Sequence, residues 1–185
     1  MTDSPRASRT RRDLVRSAVE VWGRDSRATL ADVATAAGTG RATLHRYFPG
    51  RAELVAAVEE EALIRLGAAV DRAEVLEGSG AEALARLCHE MLVEDEVLGL
   101  VFADDALLDL ETWEAVGHRD PVSLVVERGL DDGSLAADLP AQWLVVHVWA
   151  ALFGGWLAAR DGAVHARRAA ELMVRTLLGG VAATS

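Results

Sequence analysis

A chain of 185 residues with 51% hydrophobic side chains can build one ordinary domain or a small module fused to a larger one, and that content excludes disorder beyond the ends. The net charge of -10 argues against nucleic acid as a partner of the whole chain, yet residues 1–51 hold ten arginines against five acids and residues 52–185 hold nine against twenty-four. A basic amino-terminal end attracts a phosphate backbone and an acidic remainder is repelled by it, so the two parts are expected to do different work.

Residues 1–10 are polar and basic, lack the apolar segment of a secretory signal or anchor, and read as a flexible arm. A first helix is expected from about Arg11 to Arg24, with Leu14, Val15, Ala18, Val21 and Trp22 as its supporting face. Thr29 caps a second helix through a capping box whose acid is Asp32, and Leu30, Val33, Ala34 and Ala37 fall on its core side. Gly38 follows as a left-handed stop, and Thr39 is expected to cap a third helix running to about Phe48, where Pro49-Gly50 ends it.

On that third helix, over residues 39–48, Leu44 and Phe48 lie four apart and face inward. Arg41, Thr43, His45, Arg46 and Tyr47 are left outside, a set of guanidinium, hydroxyl, imidazole and phenol groups that serves no core. It suits a major groove, where arginine pairs with guanine and a small apolar group meets a thymine methyl. Two members also have plainer readings: Tyr47 as packing under the next helix, and Arg46 as a solvated charge.

A long helix from about Arg51 to Ala73 carries Leu54, Val55, Val58, Ala62, Leu66 and Val70 along one side and links the two parts of the chain. After the break at Gly78-Ser79-Gly80 the periodicity stays helical near residues 81–93, 96–108, 112–116, 121–131, 140–160 and 163–178, and no strand-like alternation appears. The fold class is therefore all-α, divided into an arm (1–10), a unit carrying the groove-suited helix (11–58) and a helical body (59–185).

Within this body, His89, Met91, Phe102, Trp113 and His118 combine apolar walls with polar handles and are the candidate lining of a small-molecule cavity. No metal or cofactor is assigned, because no paired cysteines or His-Glu-x-x-His spacing is present. The single cysteine, Cys88, forms no internal disulfide and reads as inert packing in a reducing cytoplasm. The apolar run from Trp143 to Ala159 includes His147 and falls short of the roughly 20 residues of a membrane span, so it reads as a buried helix with no membrane partner. Trp143, Trp149, Phe153 and Trp156 nearly surround its axis, interleaved with Ala150, Ala151, Gly154 and Gly155, so one face packs within the subunit and another needs a partner.

The run Gly38-x-x-x-x-Thr43-Leu44-x-x-Tyr47-Phe48-x-x-Arg51-x-Glu53-Leu54, preceded by Leu30-x-x-Val33-Ala34, resembles the DNA-binding domain of the TetR family of transcriptional repressors. The resemblance implies that Thr43, Tyr47 and Arg51 contact phosphates, that Thr29 touches a phosphate from the preceding helix, and that Arg41, Ala42 and His45 face base edges. Gly40 and His45 depart from the family pattern, which often has a helix-favouring polar residue at the first position and an aromatic at the second. In the last two helices the resemblance implies a four-helix dimer interface built from Trp143, Ala150, Phe153 and Gly154 with Leu172, Met173 and Thr176. It further implies a DNA-binding domain over 11–58, a ligand-binding and dimerisation domain over 59–185, and a cytoplasmic homodimer on a near-palindromic double-stranded operator, released by a small-molecule effector. A small all-helical ligand carrier or enzyme is the contrasting class, although no nucleophile elbow or glycine-rich phosphate loop supports catalysis. An activator that binds DNA without a ligand would use the same fold.

Overall fold

A computed structural model describes residues 5–102 and 120–181. Among these residues the chain forms nine helices and no strand: α1 (Pro5–Arg24), α2 (Leu30–Ala36), α3 (Arg41–Tyr47), α4 (Arg51–Arg72), α5 (Gly80–Val93), α6 (Asp95–Phe102), α7 (Pro121–Asp131), α8 (Ala141–Arg160) and α9 (Ala166–Val181). Helix α1 begins at Pro5, six residues before the expected Arg11, and so reaches into the stretch read as an arm. Proline at a first helical position loses no hydrogen bond, because that N–H has no partner inside the helix.

The amino-terminal bundle follows from local signals. Thr29 and Asp32 close a reciprocal capping box at the start of α2. Its end is a Schellman closure: Gly38 takes φ +63, its N–H donates to the Thr35 carbonyl, and the Thr39 N–H donates to the Ala34 carbonyl. Thr39 therefore belongs to the end of α2 and does not cap α3; the N-cap is Gly40, with no side-chain bond. Leu14, Ala18, Val19, Trp22, Val33, Leu44, Phe48 and Leu54 meet in the core between α1, α2, α3 and α4.

Helix α4 continues into the body, where α5 packs against α7, α8 and α9, and α8 packs against α9. Ser79 and Glu82 repeat the capping box at the start of α5, and the Asp132 carboxylate accepts the Gly80 N–H at 2.7 Å. The expected helix over 96–108 starts at Asp95, and its second half, with the expected segment 112–116, lies outside the described residues.

A close crossing joins the bundle to the body, and an ion-pair network fixes the second half of α4 within the body. The carboxyl end of α1 crosses α6 glycine on glycine: a β-carbon on Gly99 would overlap the Gly23 carbonyl, and one on Gly23 would overlap the Glu96 carbonyl. Between α5 and α6, buried Glu94 receives Arg65 Nε at 2.7 Å and Arg72 Nη2 at 3.0 Å, both from α4. Arg65 also reaches Glu96 at 3.0 Å, and Arg72 reaches Glu90 at 2.6 Å. Each of these arginines holds its proton more firmly than usual, Arg65 because its two carboxylate partners outweigh the cost of burial and Arg72 chiefly through its hydrogen bond to Glu90.

Candidate nucleic-acid interface

Helix α3 has seven residues, and only Leu44 within it is fully buried; Phe48 follows as its C-cap and is also buried. Two inward residues four apart fix the helix's rotation, which leaves Arg41, Ala42 and Arg46 exposed and Thr43, His45 and Tyr47 half-buried along its edges. The expected reading set is thus brought together on one short helix. Arg41 Nε donates to His45 Nε2 at 3.3 Å, and His45 Nδ1 lies 3.3 Å from the Pro49 carbonyl. Because Nε2 accepts from Arg41, Nδ1 carries the ring proton and donates to Pro49. The pair presents a guanidinium held in place from behind, which suits a bidentate contact. Arg46 lies 5.2 Å over the Tyr47 ring, which leaves the phenol group free to donate.

The flanking contacts come out differently. Both donors of Thr29, its N–H and its hydroxyl, reach Asp32 Oδ2 at 2.7 Å, and these bonds hold the Asp32 carboxyl below its ordinary range. Arg51 is likewise engaged within the chain. Its guanidinium stacks 4.4 Å over the Trp22 ring and donates to the Ala28 carbonyl at 2.9 Å and the Ser26 carbonyl at 2.7 Å. In this conformation Thr29 and Arg51 brace the turn between α1 and α2. A further residue escapes sequence reading: Arg11 of α1 sits 5.1 Å over the Phe48 ring, across 37 positions with no local signal.

The described members of the expected small-molecule lining are not brought together. His89 lies in a surface groove of about 500 Å³ between α5 and α9, beside Arg72, Arg86, Glu90 and Arg175. Met91 is buried in the core at 2% exposure. Phe102 lines a different cleft of about 340 Å³, where the Trp22–Arg27 turn meets Phe153, Trp156 and Arg160. It makes edge contacts with Trp149 at 6.3 Å and Phe153 at 5.4 Å and a tilted one with Trp156 at 5.7 Å. Trp113 and His118 lie outside the described residues. Cys88 is fully buried, and burial pushes its thiol up to about 12, so it forms no thiolate at neutral pH.

Six of the seven expected interface residues share one groove. Trp143, Ala150, Gly154, Leu172, Met173 and Thr176 line a depression of about 770 Å³ between α8 and α9, while Phe153 stands on the adjacent stripe. Helix α8 packs one face within the subunit and leaves another open: five of its residues are buried, and Trp143, Val146, Phe153 and Leu157 are 55%, 53%, 42% and 39% exposed. By length and composition alone this helix also meets the test for a bilayer span.

Residues 14–58 match the family model of bacterial regulatory proteins, tetR family. The chain is 29% identical over 163 residues to the HTH-type transcriptional repressor LfrR of Mycolicibacterium smegmatis, covering 86% of this chain and 84% of that protein. The crystal structure of the TetR-like regulator LfrR from Mycobacterium smegmatis in complex with proflavine is similar with a TM-score of 0.72 at 28% identity, over 96% of this chain and 99% of that one. The ketosteroid transcriptional regulator KstR2 of Mycobacterium tuberculosis has a TM-score of 0.72 at 16% identity, over 100% of this chain and 98% of that one, and shares the fold alone.

Proposed function

We infer that this chain, which belongs to the TetR family of bacterial regulatory proteins, is a homodimeric repressor that reads a near-palindromic operator and leaves it when a small molecule binds. The observation that carries the reading is α3 itself: Arg41 held by His45, with Ala42, Thr43 and Tyr47 on the same short helix and Leu44 and Phe48 rooted in the core. A helix of this kind enters a major groove with its side chains on base edges and phosphates.

The groove between α8 and α9 supports the dimer. Four large apolar residues on one face of a single helix form a patch that monomers rarely leave in water. A second copy related by a two-fold axis would cover it, and the same axis would place two copies of α3 for the two halves of a palindrome.

LfrR has been crystallised with proflavine, and a flat aromatic effector is proposed here too, stacked against the cluster of Phe102, Trp149, Phe153 and Trp156. Such a molecule lowers DNA affinity only by binding one state of the protein better than the other. Helix α4 joins both parts and is the element through which the bias would pass.

Gel-shift measurements on the DNA flanking the chain's own coding region test this reading, with proflavine as the probe effector. Retardation that proflavine reverses is expected. A folded dimer that retards none of this DNA would overturn the operator-binding reading, and retardation unchanged at saturating proflavine would remove this effector class.

A further inference from the structure

Helix α1 runs on past the bundle it supports. Its first buried residue is Leu14, so Pro5 to Asp13 form an overhang of more than two turns. This overhang holds Arg6, Arg9, Arg11 and Arg12 against one acid, Asp13, and Arg16 follows a turn later.

Three observations place it. The other end of α1 is seated on α6 through Gly23 and Gly99, and a rise of 1.5 Å per residue sets Pro5 about 27 Å further along. Arg11 lies on Phe48, the residue that closes α3, so the overhang sits beside the recognition helix and away from the acidic body. Arg6, Arg9 and Arg12 are exposed and have no carboxylate partner among the described residues; the one side-chain bond among them runs from Arg12 Nε to its own helix at Ser8, at 3.4 Å.

Like charges three apart on a helix repel, and the first turn holds no acid to offset them. The arrangement weakens an isolated helix and is relieved only by an anion. Arg6 and Arg12 are six residues apart, about 9 Å along the axis, a spacing that matches a polyanion with a charge every few ångströms rather than a single small one.

We infer that the α1 overhang is a second DNA-contacting element, with Arg6, Arg9 and Arg12 docked on phosphates flanking the groove that α3 enters. The inference rests on the operator-binding reading above. These contacts carry no sequence information: they fix orientation, add affinity and make binding fall with salt.

The test uses the full-length chain, a random-sequence duplex and fluorescence anisotropy across a salt series. The triple variant Arg6→Gln, Arg9→Gln, Arg12→Gln is expected to have a slope of log affinity against log salt shallower by about 2 to 3 per protomer, and the matching lysine variant to keep the wild-type slope. Single glutamine variants, each expected to lose about 0.9, keep the test decisive if the triple variant loses helix content. A glutamine slope equal to wild type would overturn this inference alone. A wild-type chain that binds no duplex at any salt would overturn the operator-binding reading and this one with it.

Discussion

Arg51 and Trp22 share one acceptor: the Arg51 guanidinium lies 4.4 Å over the indole, and Arg51 Nη1 and Trp22 Nε1 both donate to the Ala28 carbonyl, at 2.9 and 3.0 Å. The turn that delivers α2, and through it the recognition helix, is thus held by a residue at the start of α4 and one near the end of α1. Arg51→Ala is expected to cost about 1 to 2 kcal/mol of stability, from two hydrogen bonds and a cation–π contact at an exposed site. Urea denaturation measures it. An unchanged midpoint with a shallower salt slope would make Arg51 a phosphate contact instead of a brace.

The distance in sequence explains why this brace was not legible. Thr29-x-x-Asp32 and Gly38 are local signals, and both the capping box and the left-handed stop follow from them. Thr39 is equally suited to cap by residue type, but its hydroxyl turns back to the Ala34 carbonyl at 3.5 Å and the N-cap position falls on Gly40, a choice set by geometry rather than residue type. The inward Leu44 and Phe48 followed from their four-residue spacing. Contacts that cross the chain left no pattern to read: Arg11 on Phe48, Glu94 between two arginines of α4, and the separation of His89, Met91 and Phe102 into different surroundings.

The proposed roles of Arg41 in base reading and Tyr47 in backbone holding are separable. Arg41→Ala is expected to cost about 1 to 3 kcal/mol of operator binding and to relax preference at one base position, because a bidentate contact discriminates by that amount. Tyr47→Phe removes one donor and is expected to weaken all duplexes alike. Affinity measurements on the operator and on random DNA decide both, and an equal loss on the two duplexes for Arg41→Ala removes it from the base-reading set.

The crossing of α1 and α6 admits no side chain. Gly99→Ala would drive a β-carbon into the Gly23 backbone, which no rotamer change relieves, and is expected to destabilise by about 1 to 3 kcal/mol while separating the bundle from the body. Gly67, inside α4 with nothing within 4 Å of an added β-carbon, is the internal control. Gly67→Ala is expected to stabilise by about 0.4 to 1 kcal/mol by restricting the unfolded chain. Thermal melts of the two variants should move in opposite directions; a Gly99→Ala melt at or above wild type would show that the two helices separate without cost.

Acid should act on the structure with two signs. Hydrogen bonds hold Asp32, Glu82 and Asp132 below their ordinary values, to Thr29, to Ser79 and to Ser134 with Gly80 respectively. A carboxylate depressed on folding adds stability above its unfolded pKa, and that contribution is lost as pH falls through the folded value. Asp95 runs the other way, because burial first and the Glu96 charge second raise it. Its penalty is present at neutral pH and absent once it is protonated. Asp95→Asn, which keeps the acceptor for the Glu96 N–H, is expected to raise the melting temperature at pH 7, with the gain vanishing as pH falls below about 4, the ordinary carboxylate range. A gain that persists unchanged into acid would assign the effect to packing instead of charge.

The apolar face of α8 makes the remaining prediction, about assembly. Ala150 and Gly154 lie exposed between Trp143 and Leu157, on the open groove between α8 and α9, which leaves room for a long charged side chain to extend into solvent, and for Gly154 nothing lies within 4 Å of an added β-carbon. In a dimer the same position would face the other copy closely, since small residues mark where two helices approach. Ala150→Arg is therefore expected to leave the helical signal and the melting of a monomer intact while reducing the mass in sedimentation from a dimer to the 19.7 kDa of one chain. Operator affinity should fall with it, because one α3 reads only half a palindrome. If Ala150→Arg sediments as wild type does, the groove between α8 and α9 is not the surface through which two chains meet.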